Sequence, residues 1–262
     1  MSAVRKGTRL GTRTVSFSYD GRLYTGIEGD TAASALLANG VRLMGRSVKY
    51  RRLRGVLTCG AEEPSALFTV GRAPYLVPNV PATTLQIYEG LDARSQNRWP
   101  NLEWDTASLL RTGSAMFGAG FYYKTFIWPN WKRYEGMIRR LAGLGAAPGA
   151  SDIPIPRIEH LTCDVLVVGA GAAGLTAART ALRAGQRVVL CEREPVCGGE
   201  LEFETAHIDG KPAMAWVHEV LAELRAGGAR VLTNSAVLHL SEDRVTAHEG
   251  RMGEPGRGTV YQ

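Results

Sequence analysis

Three glycines and one acidic residue have the types and spacing that bind a dinucleotide. The glycines are Gly169, Gly171 and Gly174, in the stretch GAGAAG, and the acid is Glu192. The first glycine permits a tight turn, the second lets backbone approach a pyrophosphate, and the third lets a helix pack closely on a strand. Glu192 follows Gly169 by 192 − 169 = 23 residues, near the spacing of about 20 expected of an acid that binds a ribose hydroxyl.

The surrounding sequence supplies the elements that such a site needs. An apolar run over 165–168 predicts a buried strand, residues 172–184 a helix, and 187–191 a second strand. A helix N-terminus at the turn would present free N–H groups and a positive dipole end to phosphates. We therefore expect NAD or FAD, and not NADP, because a carboxylate at Glu192 repels a 2′-phosphate. The alternative is a glycine-rich helix start in another kind of α/β protein.

The sequence after this unit continues the same pattern and then stops. Residues 212–225 predict a helix, and 230–237 predict the next parallel strand, with the backbone of Val237 placed to contact an adenine. Residues 243–262 are polar and glycine-rich, and a late Gly-Asp pair of the kind that holds a flavin is missing. We therefore expect an incomplete dinucleotide-binding domain over 158–262, completed beyond residue 262 or by another chain.

Composition limits the remaining classes. The 262 residues carry a net charge of +6, which is compatible with an anionic ligand, an acidic partner or a solvated basic surface. Four scattered cysteines form no disulfide framework or zinc pattern, so a reducing cytoplasm is expected. Cys191 and Cys197 are not a C-x-x-C pair and are interpreted as packing residues. The basic start lacks an apolar segment, and no run approaches 18 apolar residues, so neither a signal peptide nor a membrane span is predicted.

The N-terminal part predicts a small β-grasp domain of the ferredoxin type over 1–92, with a basic N-terminal arm. Strands are expected around 15–19, 23–27, 66–70 and 83–88. Asp20-Gly21 indicates a hairpin turn between the first two. A helix is expected from an N-cap at Asp30 to Gly40.

The segment from Arg42 to Arg54 contains six basic residues and no acid. Plant-type ferredoxins place cluster-binding cysteines near such a loop, with C-x₄-C-x₂-C spacing. Cys59 is the only cysteine of this domain, and one thiolate cannot replace four ligands, so we predict a domain without an iron–sulfur cluster. The basic segment could bind phosphate, contact an acidic subunit surface or simply be solvated. Nucleic acid is not expected, since no recognition motif accompanies the charge.

Residues 93–157 are rich in aromatic residues and proline. We interpret them as a helical connector and linker whose aromatic residues pack in a core or a subunit interface, and not in a membrane. A helix is predicted over 131–144, and a Gly/Pro-rich linker follows it. The predicted fold is thus α+β followed by α/β: a β-grasp domain, a connector, and an incomplete Rossmann-type domain.

Several stretches resemble the α subunits of heterotetrameric sarcosine oxidase and related amine-oxidising flavoenzyme complexes. They are FSYDGRLYTGIEGDTAASALLANG (17–40), GRSVKYRRLRG (45–55), SQNRWPNLEWD (95–105), GFYYKTFIWP (120–129) and CDVLVVGAGAAGLTAA (163–178). The resemblance implies a ferredoxin-like domain without a cluster, then a dinucleotide-binding domain. It implies NAD in the α subunit, FAD in a β-type flavin subunit and FMN shared between them, whereas relatives hold FAD in the α-type subunit. The folate-binding C-terminal part of long members has no counterpart in this sequence.

The resemblance also implies roles for single residues. The pyrophosphate would lie against the glycine-rich turn, the adenosine ribose on Glu192, and Arg193 and Glu194 near the adenosine. The full predicted cofactor-binding set is Gly169, Gly171, Ala172, Ala173, Gly174, Glu192, Arg193, Glu194, Gly199, Glu200 and Val237. No catalytic residue and no metal ligand are predicted, because amine oxidation in this family belongs to the flavin of the β subunit.

Two functions from different classes follow. In the first, the chain is part of an FAD- or NAD-containing oxidoreductase that oxidises sarcosine or a related secondary amine, inactive without its partner subunits. In the second, the nucleotide is a fixed structural ligand and the chain is a scaffold for a catalytic partner. A third function, an iron–sulfur electron carrier, would require about two irons per chain.

Overall fold

A computed structural model describes residues 11–47, 50–72, 75–106, 108, 130–141, 143–146, 157–241, 244–251, 254 and 259–261. The chain divides into two compact units. The first comprises Met1–Ile153 with Met252–Pro255, and the second comprises Pro154–Arg251 with Gly256–Gln262. None of the helices in the described ranges has the length and apolar character needed to cross a membrane.

The first unit is built on a five-stranded mixed sheet. Its order is β2-β1-β7-β5-β6, in which β1 and β7 are parallel and the other neighbours antiparallel. The strands are β1 (Thr14–Tyr19), β2 (Arg22–Ile27), β5 (Leu67–Val70), β6 (Val77–Pro81) and β7 (Asp92–Ser95), and a short hairpin joins β3 (Gly45–Arg46) to β4 (Leu53–Arg54). Alternate residues of β1 point inward because side chains of a strand alternate between faces. The predicted ferredoxin-like β-grasp arrangement is confirmed.

The helix α1 (Ala32–Ala38) packs Ala32, Ala33, Ala35 and Leu36 in the core beside this sheet. Its N-cap is Thr31, and not the predicted Asp30. Thr31 Oγ1 accepts a hydrogen bond from Ser34 N at 3.2 Å, which completes a capping box. Asp30 is buried one residue earlier, where its carboxylate accepts from Ile27 N at 2.7 Å and ties β2 to the helix.

The strand predicted over 83–88 is wrong. These residues form turns with one isolated bridge, between Thr31 and Gln86. Their apolar side chains enter the core, as those of a strand would, but their backbone groups bond to the start of the helix. Leu85 O accepts from Ala32 N, and Ile87 N donates to Asp30 O. The sheet instead uses β6 before this segment and β7 after it, neither of which was predicted.

The basic segment 42–54 is partly internal. Arg51 is 7% exposed and forms a two-bond ion pair with the buried Asp105, at 2.7 and 3.0 Å. Arg46 donates to Leu102 O at 2.8 Å and to Arg51 O at 2.8 Å. Two of the six basic residues therefore hold this segment to residues 97–105. Arg42, Arg52 and Arg54 are exposed, and Lys49 lies outside the described residues.

Most of the aromatic segment, including residues 109–129, lies outside the described residues. Three of its tryptophans are described, and all are exposed: Trp99 by 68%, Trp104 by 78% and Trp131 by 46%. Core packing is therefore wrong for these three, and a subunit interface stays a prediction for them. The helix α2 (Trp131–Leu141) is shorter than the predicted 131–144.

The second unit begins with a parallel sheet of order β13-β10-β9. Its strands are β9 (Val165–Val168), β10 (Val188–Cys191) and β13 (Arg230–Leu232), connected by the helices α3 (Ala172–Arg183) and α4 (Ala213–Ala226). The helices bury Leu175, Val217 and Leu224 in one cluster with β9 and β10. The predicted strand–turn–helix–strand unit is present within one residue at each end.

A second, mixed sheet has the order β14-β15-β16-β8. Its strands are β8 (Arg157–Glu159), β14 (Ser235–Leu240), β15 (Val245–Glu249) and β16 (Thr259–Tyr261), and a small hairpin pairs β11 (His207–Ile208) with β12 (Lys211–Pro212). The single strand predicted over 230–237 is wrong, because Asn234 adopts a φ of +50° and separates β13 from β14. Residues 243–262, which are polar and glycine-rich in sequence, contain β15 and β16.

Candidate functional site

Two glycines, Gly169 and Gly174, allow the tight turn between β9 and α3. Gly169 has a φ of +94°, and its N–H donates to Cys191 O at 2.8 Å. A Cβ atom on Gly174 would lie 1.9 Å from Gly169 O, so that position tolerates only hydrogen. The predicted role of Gly174 in close helix–strand packing therefore agrees with the geometry.

Gly171 differs from Gly174 because a Cβ atom there would enter open space. Gly171 is also the N-cap of α3, with extended dihedral angles, and it has no side chain to cover the first N–H groups. Ala172 and Ala173, the first two residues of the helix, are exposed. The first turn of α3 contains no acid, so no carboxylate of that turn neutralises the positive end of the helix dipole. These are the features of an anion-binding helix start.

A second glycine pair approaches the turn from the other side. Gly198 N donates to Ala170 O at 2.8 Å, and a Cβ atom on Gly199 would lie 3.5 Å from Gly171 Cα. Gly198 and Gly199 have φ values of +129° and +56°. The predicted residue Gly199 is thus brought beside the glycine-rich turn. Glu200 lies exposed in the 3₁₀ helix (Gly199–Glu202) that follows.

Glu192, at the end of β10, is 8% exposed and braces the turn. Its Oε2 accepts from Ala170 N at 2.6 Å, and its Oε1 accepts from Glu194 N at 2.8 Å. The sequence indicated a ribose ligand but not this bracing role. Each carboxylate oxygen has a second lone pair, so Glu192 can hold the turn and still accept a ribose hydroxyl.

The remaining predicted residues, Arg193, Glu194 and Val237, differ in their exposure and contacts. Arg193 is mainly exposed and forms an ion pair with Glu194 at 3.5 Å. Ser235 N donates to Glu192 O at 2.8 Å, which brings the start of β14 to the same edge. Val237 lies two residues further along β14, opposite Ala247 and half-buried against a separate core cluster. Its contact with an adenine stays a prediction.

The thiols of this unit are packing groups. Cys191 and Cys197 are buried in different core clusters. Burial raises the pKa of each to about 11, so neither is a thiolate near neutral pH. This agrees with the interpretation of both as packing residues.

Two families match the two units. Residues 12–98 match the family described as 2Fe-2S iron-sulfur cluster binding domain. Residues 164–254 match the family described as FAD dependent oxidoreductase. The chain thus carries a ferredoxin-like domain followed by a flavin-dependent oxidoreductase domain.

Whole-sequence comparison decides the relationship. The sarcosine oxidase subunit alpha of Rhizobium meliloti (strain 1021) is 53% identical over 215 residues, which is 81% of this chain and 22% of that protein. The chain is a homologue of sarcosine oxidase subunit alpha. A second such subunit, from Corynebacterium sp. (strain U-96), is 34% identical over 230 residues, 86% of this chain and 19% of that protein. The chain therefore spans about a fifth of the length of these homologues.

One solved structure resembles the chain along its whole length. L-proline dehydrogenase from P. horikoshii aligns with 100% of this chain and 41% of its own, with a TM-score of 0.56 and 18% sequence identity. At that identity the likeness concerns the fold alone.

The residues of the first unit do not fit the cluster that its family description names. Residues 12–98 contain one cysteine, Cys59, and no histidine, whereas a [2Fe–2S] cluster is held by four such ligands. Cys59 is exposed. Within the described ranges, no group of three or more His, Cys, Asp or Glu side chains could hold a metal ion.

Proposed function

We propose that this chain is an α-type subunit, or part of one, of a heteromeric flavoenzyme that oxidises sarcosine or a related secondary amine. The observation that carries the proposal is the 53% identity with a sarcosine oxidase subunit alpha across 81% of the chain. In this function the second unit binds a dinucleotide, for which we favour FAD over NAD because residues 164–254 match an FAD-dependent family.

The chain's own residues would hold the dinucleotide at three places. The pyrophosphate would lie on the open face of Gly171, against the N–H groups at the start of α3. The ribose of the adenosine would bind Glu192, which is already fixed by two backbone N–H groups. The bound flavin supplies the capacity to accept electrons from a substrate or a partner, which no side chain has.

The partners are proposed on the same basis. The homologues are named as subunits, so we propose a β-type flavin subunit as the partner and the amine as a substrate of the complex. An FMN shared with that partner remains part of the proposal. We also propose that the first unit binds no iron–sulfur cluster, since it offers one thiolate where four ligands are needed.

Identification of the bound nucleotide tests the binding step. The full chain would be purified, denatured and its released nucleotide identified by chromatography, beside the variants Gly171→Val and Ala177→Ser. We expect about one FAD per wild-type chain and per Ala177→Ser chain, since Ala177 is exposed in the second turn of α3. Gly171→Val should release little or none, because its side chain would fill the pyrophosphate position. NAD alone would overturn the choice of FAD, and no nucleotide in folded wild-type protein would overturn dinucleotide binding.

A second experiment separates the oxidoreductase from a scaffold. The chain would be co-purified with its β-type partner, and the flavin spectrum followed after sarcosine is added without oxygen. Bleaching of a flavin bound to this chain supports the proposed function. If only the flavin of the partner bleaches, the nucleotide on this chain is a fixed structural ligand and the scaffold function is correct.

A further inference from the structure

The loop over residues 57–66 is arranged around one buried carboxylate, that of Glu63. Glu63 is 3% exposed. Its Oε2 accepts from Leu57 N at 2.7 Å and Thr58 N at 2.8 Å. Its Oε1 accepts from Ser65 N at 2.8 Å and Ala66 N at 3.0 Å. Four backbone N–H groups of one loop therefore converge on a single anion.

The four hydrogen bonds offset the free-energy cost of burying Glu63, because an isolated carboxylate is costly to remove from water. Burial raises the pKa of the Glu63 carboxyl, but the N–H bonds from Thr58, Leu57, Ala66 and Ser65 lower it by more, so the pKa lies below its ordinary value. The carboxylate is thus held ionised inside the loop. The loop is an anion-binding concavity of the kind that successive backbone N–H groups form. The anion that it binds is the carboxylate of its own residue Glu63.

Three residues of the loop are spaced along the chain as three cluster ligands are. Thr58, Glu63 and Ala66 have the C-x₄-C-x₂-C spacing that plant-type ferredoxins use for three cluster ligands. The same residues lie within the range, 12–98, that matches a 2Fe-2S cluster binding family. A fourth ligand comes from later in the chain in such proteins. Here Thr83, which is buried, donates from Oγ1 to Gly60 O at 2.6 Å and so joins a later segment to this loop.

We propose that the side chain of Glu63 takes the place of an iron–sulfur cluster in this loop. A cluster is an anionic group whose sulfurs accept hydrogen bonds from the protein, and the Glu63 carboxylate is an anion that accepts four. Exchange of one for the other keeps the loop folded without metal. The first unit then serves as a structural domain and not as an electron carrier, whichever nucleotide the second unit binds.

Matched variants test this role. Glu63→Gln removes the charge at constant size and turns an NH₂ group toward backbone donors, whereas Glu62→Gln makes the same change at the exposed neighbouring residue. In the full chain we expect Glu63→Gln to lower the melting temperature by about 5 °C or more, and Glu62→Gln by less than about 1 °C. A melting temperature for Glu63→Gln equal to that of Glu62→Gln would overturn the proposal.

A metal assay on the wild-type chain keeps the proposal testable if Glu63→Gln does not fold. Iron and acid-labile sulfide would be measured after anaerobic reconstitution with both. We expect fewer than about 0.1 of each per chain, and about two of each would overturn the proposal. Loss of nucleotide binding in the second unit would leave both results unchanged, so failure of the proposed function is distinguishable from failure of this inference.

Discussion

The loop around Glu63 in the first unit and the glycine-rich turn in the second use the same physical device with opposite outcomes. Both collect backbone N–H groups that face one point. In the first, a buried carboxylate from the same loop accepts four of them. In the second, the N-cap is Gly171, and the space before it is open. A concavity that the chain fills itself is structural, and one that it leaves open is available to a ligand.

One ion pair of the first unit is buried, whereas two ion pairs of the second unit are exposed. In the first, Arg51 and Asp105 form a buried pair, with side chains 7% and 0% exposed. In the second, the pairs of Arg183 with Glu223 and of Arg187 with Asp164 lie at the surface, where they stabilise little. The charge of Arg51 therefore serves internal packing, whereas Arg42, Arg52 and Arg54 of the same segment are exposed.

Loss of the Arg51 charge is expected to have the largest effect on folding. Arg51→Met leaves the buried carboxylate of Asp105 with only a longer ion pair to Arg46, at 3.5 Å, and the N–H of Trp99. The loss is therefore expected to reach at most about 3–5 kcal/mol of unfolding free energy. Arg52→Met is the control, because Arg52 is exposed and only lies 5.1 Å from the Tyr50 ring, a contact of about 0.5–1 kcal/mol. Urea denaturation of both variants measures the difference.

A double variant checks the cause. Arg51→Met with Asp105→Leu removes the buried carboxylate together with its arginine partner. The double variant should therefore recover part of the unfolding free energy that the single variant loses. If the double variant is as unstable as Arg51→Met, the penalty comes from lost packing and not from the buried charge. Equal stability of Arg51→Met and Arg52→Met would show that the basic segment is a surface feature, as in the second unit.

Two glycine variants separate packing from ligand binding in the second unit. An alanine usually stabilises a helix relative to glycine, but in Gly174→Ala the Cβ would meet Gly169 O at 1.9 Å, so we expect a loss of about 1–3 kcal/mol or more. Gly171→Val meets only open space and should change the unfolding free energy of the nucleotide-free chain by less than about 1 kcal/mol.

The same two variants differ in their nucleotide content. Gly174→Ala loses nucleotide together with stability, whereas Gly171→Val loses nucleotide alone. Denaturation curves of nucleotide-free protein and the nucleotide released from each purified variant provide the measurements. Retention of full nucleotide content by Gly171→Val would contradict the contrast between a filled loop and an open turn.

The pH dependence of the unfolding free energy that Glu63 contributes is the smallest and most specific expected effect. Because its pKa is lower in the folded state than in the unfolded one, its stabilising contribution is complete above the unfolded pKa of about 4.3 and is lost as pH falls through the folded pKa. The difference in unfolding free energy between wild type and Glu63→Gln should be constant near neutral pH and shrink below about pH 4. A difference that grows on acidification would contradict an ionised Glu63.

The sequence was sufficient to predict those elements whose residue types allow few backbone conformations. The glycine spacing, the apolar strands and Glu192 predicted β9, α3 and β10 with small errors at their ends, because only glycine fits positions such as Gly174. The hairpin at Asp20-Gly21 was equally clear, since both residues have a positive φ. Local chemistry determines such elements.

Errors came where the tertiary structure decides how a backbone is used. Residues 83–88 are apolar enough for a strand, but Leu85 O accepts from Ala32 N at the start of α1. The strand β15 pairs with β14 and β16, and β16 pairs with β8, in a sheet that no single segment of the sequence predicts. Long-range partners of this kind are absent from any local pattern.

The sequence by itself determined that a glycine-rich turn follows a ferredoxin-like domain that contains a single cysteine. The tertiary structure decided which charged side chains of that domain are buried and what they contact. Arg51 reaches Asp105 across 54 positions of the chain, and Glu63 gathers N–H groups on both sides of its own loop. A charge in a sequence shows neither its burial nor its partner. Only the fold places an anion where four donors meet, or leaves the donors before Gly171 open.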